Sequence, residues 1–563
     1  MHPILVSTRL FCIKAFTIFR ASSQKEGGGG FKMRLQRILN PHSPPFIEMR
    51  TTSRNYSIAD HIALFAVLGA VAFGAFIRLY PAMTADFPIN DGGLFYRFIL
   101  EIQKQGYSLP ITSTYNQAQI PFVYPPLSFY LAGLSGTLLH IPLLDVIRWL
   151  PGLVSVLTIP ALFLLARAAL KDETQAILAV YCFAFLPTAF DFMIVGGGLS
   201  RAFGFLFSIL TLHQELRMLR SGTWKNTIGM GVFAALTVLS HPVAAWFTFF
   251  SAAIILLFEG RTRRAISQAA IVLLLTAALS APWWVTILQR FGSQVLFSAF
   301  QAGQLNNSNF FALFLFIHTN EPLVDIQAVL ALLGLFTCLK NKRYFIPLWL
   351  LAVFLLEARL SATYAIIPTV LLAAIGLDSI VLAGFSEKRI DDNSNVERLS
   401  RVGQFLLLYL LIYGLVAAFI SAPRDHLNRA ERQAMNWIQS NLPKGHNFLV
   451  VSGISGAGVD YPSEWLPALT DQVSLGTPQG SEWLPGDVFR ERWGEHDTLQ
   501  ACFNRDGSCL DRWAAQIQRS YDYVLVTPNE AGDIGAINAF LKADPNFQPV
   551  YQVGGVMIFR HDQ

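Results

Sequence analysis

Apolar runs long enough to cross a bilayer recur along most of this chain, and they constrain its fold more than any other feature. A membrane-spanning helix needs about 20 consecutive, mostly apolar residues. Hydrophobic residues make up 53% of the 563 residues and charged residues only 14%, a proportion of charge that soluble proteins of this length rarely have. The sequence therefore predicts a polytopic α-helical membrane protein.

The basic residues between the apolar runs orient the predicted helices. Cytoplasmic loops carry an excess of Lys and Arg, and here every basic cluster falls on one side if the N-terminus is cytoplasmic. This alternation predicts about 11 transmembrane helices. They are expected at residues 58–79, 146–169, 175–190, 202–219, 227–240, 243–259, 266–285, 322–339, 344–357, 362–383 and 402–421.

One apolar run, residues 127–141, is too short to span. If it crossed the membrane, Arg167 and Lys171 would lie outside, against the positive-inside tendency. We therefore interpret it as interfacial or re-entrant. Residues 58–422 as a whole are predicted to form the transmembrane domain.

The two ends of the chain differ from this domain in composition. Residues 1–57 contain nine Lys or Arg and two Glu, and we interpret them as a basic, disordered cytoplasmic tail in which Met33 and Met49 are alternative starts. Residues 423–563 alternate strand and helix patterns, which predicts a small extracytoplasmic α/β domain. Its expected elements are helices at 429–442 and 533–543, strands at 447–451 and 521–526, and a strand or hairpin at 550–560.

The loop at residues 80–126 carries the first candidate chemistry. It contains two carboxylates, Asp86 and Asp91, ahead of an amphipathic helix suited to a membrane surface. A carboxylate held there can deprotonate or orient a hydroxyl, so Asp91 is the candidate catalytic base. The alternative is turn chemistry, because Asn-Asp-Gly-Gly also favours a turn. Asp86 either shares a metal with Asp91 or caps a turn.

Two motifs in this loop resemble a known class of enzymes. Asp91-Gly-Gly-Leu-Phe-Tyr-Arg97 is similar to the Asp-led motif of oligosaccharyltransferase catalytic subunits. Tyr124-Pro-Pro-Leu-Ser-Phe-Tyr130 resembles the aminoarabinose and protein O-mannosyl transferases. Together they resemble the GT-C class of membrane glycosyltransferases, which implies a sugar donor carried on a polyprenyl phosphate. The acidic residue that often follows the leading Asp is Gly92 here, which leaves open whether Asp91 and Asp86 bind a divalent metal.

Four further residues at predicted outer ends are candidates for substrate binding. Arg201, after a Gly-Gly-Gly loop, and Arg359 can each hold a lipid-linked phosphate. The alternatives are a side chain that snorkels to the interface for Arg201 and an ion pair with Glu357 for Arg359. His241 is a proton-transfer, metal or packing residue, and Glu321 either approaches the acceptor or lies in a solvated turn.

The predicted C-terminal domain repeats the pentapeptide Ser-Glu-Trp-Leu-Pro. Its acidic and aromatic residues are predicted either to form a sugar-binding surface or to dock on the membrane. These residues are Glu464, Trp465, Glu482 and Trp483. Cys502 and Cys509 flank six residues in the same domain, and they form either a disulfide or two free thiols.

The resemblance to the GT-C class, together with the predicted topology, implies a membrane glycosyltransferase that transfers a hexose or pentose in an inverting-type reaction on the outer face of the cell membrane. Its expected partners are a lipid-linked sugar donor and a glycan, lipid or protein acceptor; a net charge of +5 is too weak to suggest nucleic acid. The alternatives are a transporter or flippase of a lipid-linked substrate, and a non-catalytic membrane protein that presents its C-terminal domain. Repeated halves typical of transporters are not evident in the sequence.

Overall fold

The computed structural model describes residues 58–295, 319–357, 360–391, 394–484, 486–529 and 531–562. The predicted tail at residues 1–57 and the candidate Arg359 lie outside the described residues.

The N-terminal two thirds of the described chain is a helical bundle. An amphipathic helix, α2, follows the first long helix and buries Leu94, Phe98 and Ile102, as its apolar spacing predicts. The helices are α1 (Ile58–Thr84), α2 (Gly93–Lys104), α3 (Leu127–Leu139), α4 (Leu143–Leu170), α5 (Glu173–Phe185), α6 (Leu199–Ser221), α7 (Trp224–Ser240), α8 (Pro242–Glu259), α9 (Arg263–Phe291), α10 (Ile326–Lys340), α11 (Phe345–Leu356), α12 (Ser361–Gly376) and α13 (Arg401–Ser421). A short π-helical stretch, Leu377–Leu382, extends α12.

Six helices among the described residues are long and apolar enough to cross a membrane, which confirms a multi-pass membrane protein. They are the stretches Ala63–Thr84, Leu143–Leu170, Pro242–Glu259, Arg263–Phe291, Ser361–Leu382 and Arg401–Ser421. The predicted number of about 11 is not confirmed and stays a prediction. Several predicted spans are shorter helices, such as α11, whose 12 residues extend only about 18 Å against a hydrocarbon core of about 30 Å.

The C-terminal part contains a five-stranded mixed sheet, which confirms the predicted mixture of strands and helices. The strands are β5 (Asn447–Val451), β6 (Val473–Ser474), β7 (Tyr523–Val526), β8 (Phe547–Val553) and β9 (Val556–His561). Their order in the sheet is β6-β5-β7-β9-β8, with β5 parallel to β6 and β7 and the last two pairings antiparallel. The helices are α14 (Arg429–Asn441), α15 (Tyr461–Thr470), α16 (Val488–Gln500), α17 (Ser508–Gln516) and α18 (Ile537–Ala543).

Two short hairpins complete the described structure. Strands β1 (Thr112–Ser113) and β2 (Ile120–Pro121) pair within the loop after α2, and β3 (Ser386–Asp391) pairs with β4 (Ser394–Leu399) before α13. The sequence patterns predicted neither hairpin.

The C-terminal part of the chain packs, through α15 and β6, against the segment at residues 80–126, which includes α2. The Trp465 ring packs against Phe87, with the ring centroids 4.8 Å apart. The Arg97 guanidinium pairs with the Asp471 carboxylate at 2.7 Å. The Asn116 amide exchanges two hydrogen bonds with the Ser474 backbone, of 3.0 and 2.8 Å, and so occupies the free edge of β6 as a strand would. The bundle and the sheet therefore meet at the loop that carries Asp91.

The structure joins Cys502 to Cys509 in a disulfide, with the Cα atoms 5.7 Å apart. The closed loop is short, so the bridge should stabilise the fold by only about 2 kcal/mol. We expect thiol titration of the denatured, unreduced protein to count Cys12, Cys182 and Cys338 alone, and reduction to add two thiols. A titration that already counts all 5 cysteines before reduction would contradict the bridge.

Candidate functional site

The Asp91 carboxylate lies at the N-terminus of α6, between two loops that are distant in sequence. Its Oδ1 accepts a hydrogen bond of 2.9 Å from the backbone N–H of Gly197. Its Oδ2 lies 3.6 Å from Nη2 of Arg201, in the first turn of α6. The structure thus brings together two of the predicted site residues, the candidate base and a candidate phosphate ligand.

Glycine allows the two loops to approach this closely. A Cβ on Gly197 would lie 2.2 Å from Oδ2 of Asp91. Gly92 has a φ of +126°, which L side chains rarely adopt, and a Cβ there would lie 2.9 Å from the backbone of Gly196. A backbone hydrogen bond of 2.8 Å, from Gly196 to Ile89, joins the same loops. Larger residues at these positions would push the Asp91 carboxylate away from α6.

Burial raises the pKa of Asp91, while the charge of Arg201 and the hydrogen bond from Gly197 act against that rise. The carboxylate therefore binds a proton more readily than a solvated Asp, and it loses its charge at a higher pH when the solution is acidified. A carboxylate that is ionised yet more basic than usual is suited to accept a proton from a hydroxyl.

The second candidate carboxylate, Asp86, lies in a different environment. It is exposed, and its Oδ2 is 2.5 Å from Nη2 of Arg432 in α14, while its Oδ1 is 3.7 Å from the His426 ring. The hydrogen bond from Arg432 lowers the pKa of Asp86. The structure joins Asp86 to the C-terminal part of the chain, and a catalytic role for it stays a prediction.

The donor set around Asp91 does not fit a divalent metal. One Asp91 oxygen accepts an N–H and the other faces a guanidinium, whereas Asp86 faces Arg432 and His426. No group of three or more His, Cys, Asp or Glu among the described residues is arranged to hold a metal ion. In this geometry the positive charge beside Asp91 comes from Arg201.

Arg201 retains capacity to bind an anion. Its Nε is buried and has no hydrogen-bond partner among the described residues, and its guanidinium lies over the Phe192 ring, 5.8 Å from the centroid. The neighbouring Asp191 accepts hydrogen bonds from the Phe192 N–H and from Asn320. Burial raises the pKa of Asp191 to about 6, while these two hydrogen bonds and the charge of Arg201 act against that rise.

His241 and Glu321 occupy helix N-termini in the structure. Nδ1 of His241 accepts a hydrogen bond of 3.3 Å from the Ala244 N–H in the first turn of α8, and the side chain is buried. Oε2 of Glu321 accepts hydrogen bonds from Thr319 and from the Gln327 N–H at the start of α10. Burial raises the pKa of Glu321 to about 7. Substrate contact for either residue stays a prediction.

The first copy of the repeated pentapeptide lies beneath the Asp91 loop. Trp465 is 0% exposed and Glu464 is 4% exposed, which corrects the predicted sugar-binding or membrane-docking surface for this copy. The Trp465 indole is buried by aromatic packing, and Nε1 donates a hydrogen bond of 2.9 Å to the Asn90 carbonyl. Oε1 of Glu464 accepts hydrogen bonds from the N–H groups of Gly92 (3.2 Å) and Leu94 (3.1 Å). Burial and the nearby Asp91 raise the pKa of Glu464 to about 8.

The second copy lies beside the Tyr-Pro-Pro motif. Trp483 is buried, and its ring packs edge-on against Tyr124 with centroids 5.5 Å apart. The Tyr124 hydroxyl lies 3.0 Å from Oγ of Ser200, next to Arg201 in the chain. Oε2 of Glu482 accepts a hydrogen bond from the Gly480 N–H within its own turn. Sugar contact for Glu482 and Trp483 stays a prediction, and Ser200 is a site neighbour that no sequence pattern indicated.

A family model matches the part of the chain that contains Arg201 and His241. Residues 123–287 match the model described as dolichyl-phosphate-mannose-protein mannosyltransferase. This segment is less than a third of the chain, and it excludes Asp91 and the C-terminal sheet. No curated protein sequence matches the chain.

Solved structures of three membrane proteins are among those that resemble the chain over most of its length. The archaeal oligosaccharyltransferase AglB from Archaeoglobus fulgidus, in complex with an inhibitory peptide and a dolichol-phosphate, aligns with a TM-score of 0.56 and 14% identity, over 89% of this chain and 74% of that one. The mycobacterial arabinofuranosyltransferase AftD aligns with a TM-score of 0.52 and 18% identity, over 88% and 40%. ArnT from Cupriavidus metallidurans, bound to undecaprenyl phosphate, aligns with a TM-score of 0.50 and 13% identity, over 88% and 97%. At these identities the likeness shows a shared fold.

Proposed function

We propose that this chain, which has the fold of the GT-C class of membrane glycosyltransferases, transfers a sugar from a polyprenyl-phosphate donor to an acceptor hydroxyl. The observation that carries the proposal is the pairing of Asp91 with Arg201 at 3.6 Å. A base and a phosphate ligand are the two groups that this transfer requires from the protein. At 3.6 Å the pair is looser than a typical charge-assisted hydrogen bond of about 2.8 Å, so both groups retain capacity for a substrate.

The roles of the two residues follow from the bonds that change. The acceptor oxygen bonds to the anomeric carbon of the sugar while Asp91 takes its proton. The bond from that carbon to the phosphate oxygen breaks, and the polyprenyl phosphate leaves with the electron pair. Arg201 donates hydrogen bonds to the phosphate oxygens, where negative charge develops. The Gly197 N–H orients the Asp91 carboxylate throughout.

The named ligands of two neighbours support the choice of donor. AglB was solved with a dolichol-phosphate and ArnT with undecaprenyl phosphate, which are both lipid phosphates. The acceptor is a glycan, a lipid or a protein of the cell envelope.

Transfer is tested with purified protein and a panel of polyprenyl-phosphate sugars, by mass spectrometry of the released lipid phosphate and of the glycosylated acceptor. Surface glycans and lipid-linked sugars from cells with and without the gene identify the natural pair. Wild-type protein that transfers from none of these donors would overturn the proposal in favour of a transporter or a scaffold.

The proposal includes an orientation, with the Asp91 loop and the C-terminal sheet both on the extracytoplasmic side. Contacts between α15 and α2 support a common side, and the basic loops at the other helix ends support a cytoplasmic opposite side. We expect an impermeant thiol reagent to label Lys104→Cys but not Lys388→Cys in intact cells, in a background without Cys12, Cys182 and Cys338. Labelling confined to Lys388→Cys would refute the orientation.

A further inference from the structure

We propose that Glu464 and Trp465 are positioning residues, through which α15 holds the Asp91 turn in the geometry required for transfer. The inference rests on the proposed function and deepens it, because it gives the C-terminal part of the chain a role in the catalytic turn itself. The two residues act through Asp91 and are not expected to touch the substrate.

The contacts fix the chain on both sides of Asp91. Before it, the Asn90 carbonyl accepts the indole N–H of Trp465. After it, the N–H groups of Gly92 and Leu94 both donate to Oε1 of Glu464. Three hydrogen bonds to two adjacent residues of α15 therefore bracket a single catalytic carboxylate.

Glu464 supplies an acceptor that α2 lacks. The first N–H groups of a helix have no partner within the helix and are usually satisfied by the side chain of the N-cap residue. The N-cap of α2 is Gly92, which has no side chain, and no side-chain cap is present there. The Glu464 carboxylate, which is 372 residues away in the chain, takes this role.

Aromatic packing and a close backbone approach hold α15 in place. Trp465 lies between Phe87 and Tyr96, with ring centroids at 4.8 and 5.9 Å. A Cβ on Gly93 would lie 2.7 Å from the Glu464 carbonyl oxygen, so the two helices meet at backbone distance. The Tyr115 hydroxyl donates to the same carbonyl at 2.8 Å.

A buried network fixes the N-terminus of α15 in turn. Asp460 is 1% exposed and accepts hydrogen bonds from the hydroxyls of Ser452 (3.0 Å) and Ser463 (2.5 Å). Nε2 of His496, which is also buried, lies 3.6 Å from the Asp460 carboxylate. The position of α15 is therefore set by the core of the sheet and passed on to the Asp91 turn.

Two substitutions of Glu464, with different expected results, test whether its acceptor oxygen positions the Asp91 turn. Glu464→Ala removes the acceptor for both N–H groups, so the turn and the Asp91 carboxylate are free to shift. We expect kcat to fall about 100-fold, which is the effect of misplacing a reacting group by about 1 Å. The KM for the lipid-linked donor should change by no more than about threefold, because the substrate ligand Arg201 is untouched. Glu464→Gln retains the acceptor oxygen, so it should retain most of the activity.

Glu431→Ala is the matched control. Glu431 is also a buried carboxylate of the C-terminal part, and it also accepts a backbone N–H, that of Asn428. Among the described residues no hydrogen bond joins its side chain to the Asp91 turn. A general loss of stability should affect Glu431→Ala and Glu464→Ala alike. Only Glu464→Ala should lower kcat per folded molecule.

Hydrogen exchange of the full-length protein tests the contact without relying on activity. We expect amide exchange of Gly92 and Leu94 to accelerate in Glu464→Ala and to stay slow in Glu464→Gln and Glu431→Ala. Unchanged exchange in Glu464→Ala, or a kcat equal to that of the control, would overturn the inference. So would a Glu464→Gln protein that is inactive with its amides still protected, because Glu464 would then act through its charge. If wild-type protein transfers no sugar, the proposed function fails, and the exchange pattern decides the contact by itself.

Discussion

Replacement of Asp91 by Asn is expected to lower kcat for sugar transfer at least ~100-fold, which is about 2.7 kcal/mol in the barrier. The amide retains the shape of the carboxylate, and its oxygen still accepts the Gly197 N–H. It lacks the negative charge and the basicity that proton removal from the acceptor requires. The comparison uses equal amounts of purified, folded protein with a polyprenyl-phosphate sugar as donor.

The control for this prediction is Asp86→Asn, in the same loop. Asp86 is 67% exposed and pairs with Arg432 rather than with Asp91, so its replacement should lower kcat by no more than about threefold. Equal losses in the two variants would mean that the carboxylates act together, as metal ligands would. Near-normal transfer by Asp91→Asn would show that Asp91 is not the catalytic base.

Replacement of Arg201 by Gln is the second large effect that we expect, a loss of about 10- to 100-fold in kcat/KM. The variant loses the donor for the leaving phosphate. It also loses the charge that lowers the pKa of Asp91, so that pKa should rise further and Asp91 should be protonated at a higher pH. Because transfer needs the ionised form, activity should be lost earlier on acidification. The measurement is the pH profile of kcat/KM.

Two variants give this prediction its controls. Arg217→Gln removes an exposed guanidinium from the same helix, α6, far from Asp91, and should change neither the rate nor the profile. Arg201→Lys retains the charge but not the two-pronged geometry, so it should restore the acid limb and only part of the rate. If Arg201→Gln leaves the acid limb in its wild-type position, the ion pair does not tune Asp91.

The features that the sequence predicted well are those that local patterns determine. Hydropathy identified the membrane class, and the start of α14 and both ends of β5 agree with the predicted bounds. The number of spans, about 11, stays a prediction. Apolar helices such as α3 and α5 have only 13 residues each, and whether a helix of that length crosses depends on its neighbours as well as its composition.

In the candidate site too, the residues that were predicted are those with a local sequence signal. Asp91 and Arg201 were identified because a carboxylate in a Gly-rich turn and an Arg after a Gly run are both unusual beside a membrane. The position of Glu464 was not predictable, because a Glu-Trp pair gives no local indication of whether it is exposed. Glu464 is buried because it contacts Leu94 and Gly92, which lie 370 and 372 residues away in the chain. A local hydrophobic pattern around Glu464 carries no information about such distant contacts.

Gly92 restricts which residues can stand next to Asp91. An acidic residue at position 92 would add a second carboxylate next to Asp91, but it would need the rare φ of +126° and would lie against the backbone of Gly196. Gly196 already has the smallest side chain, so no substitution there can make room. A second carboxylate could therefore enter next to Asp91 only if the whole loop moved away from α6, so the fold itself favours a site in which Arg201, and not a further acidic residue, faces Asp91.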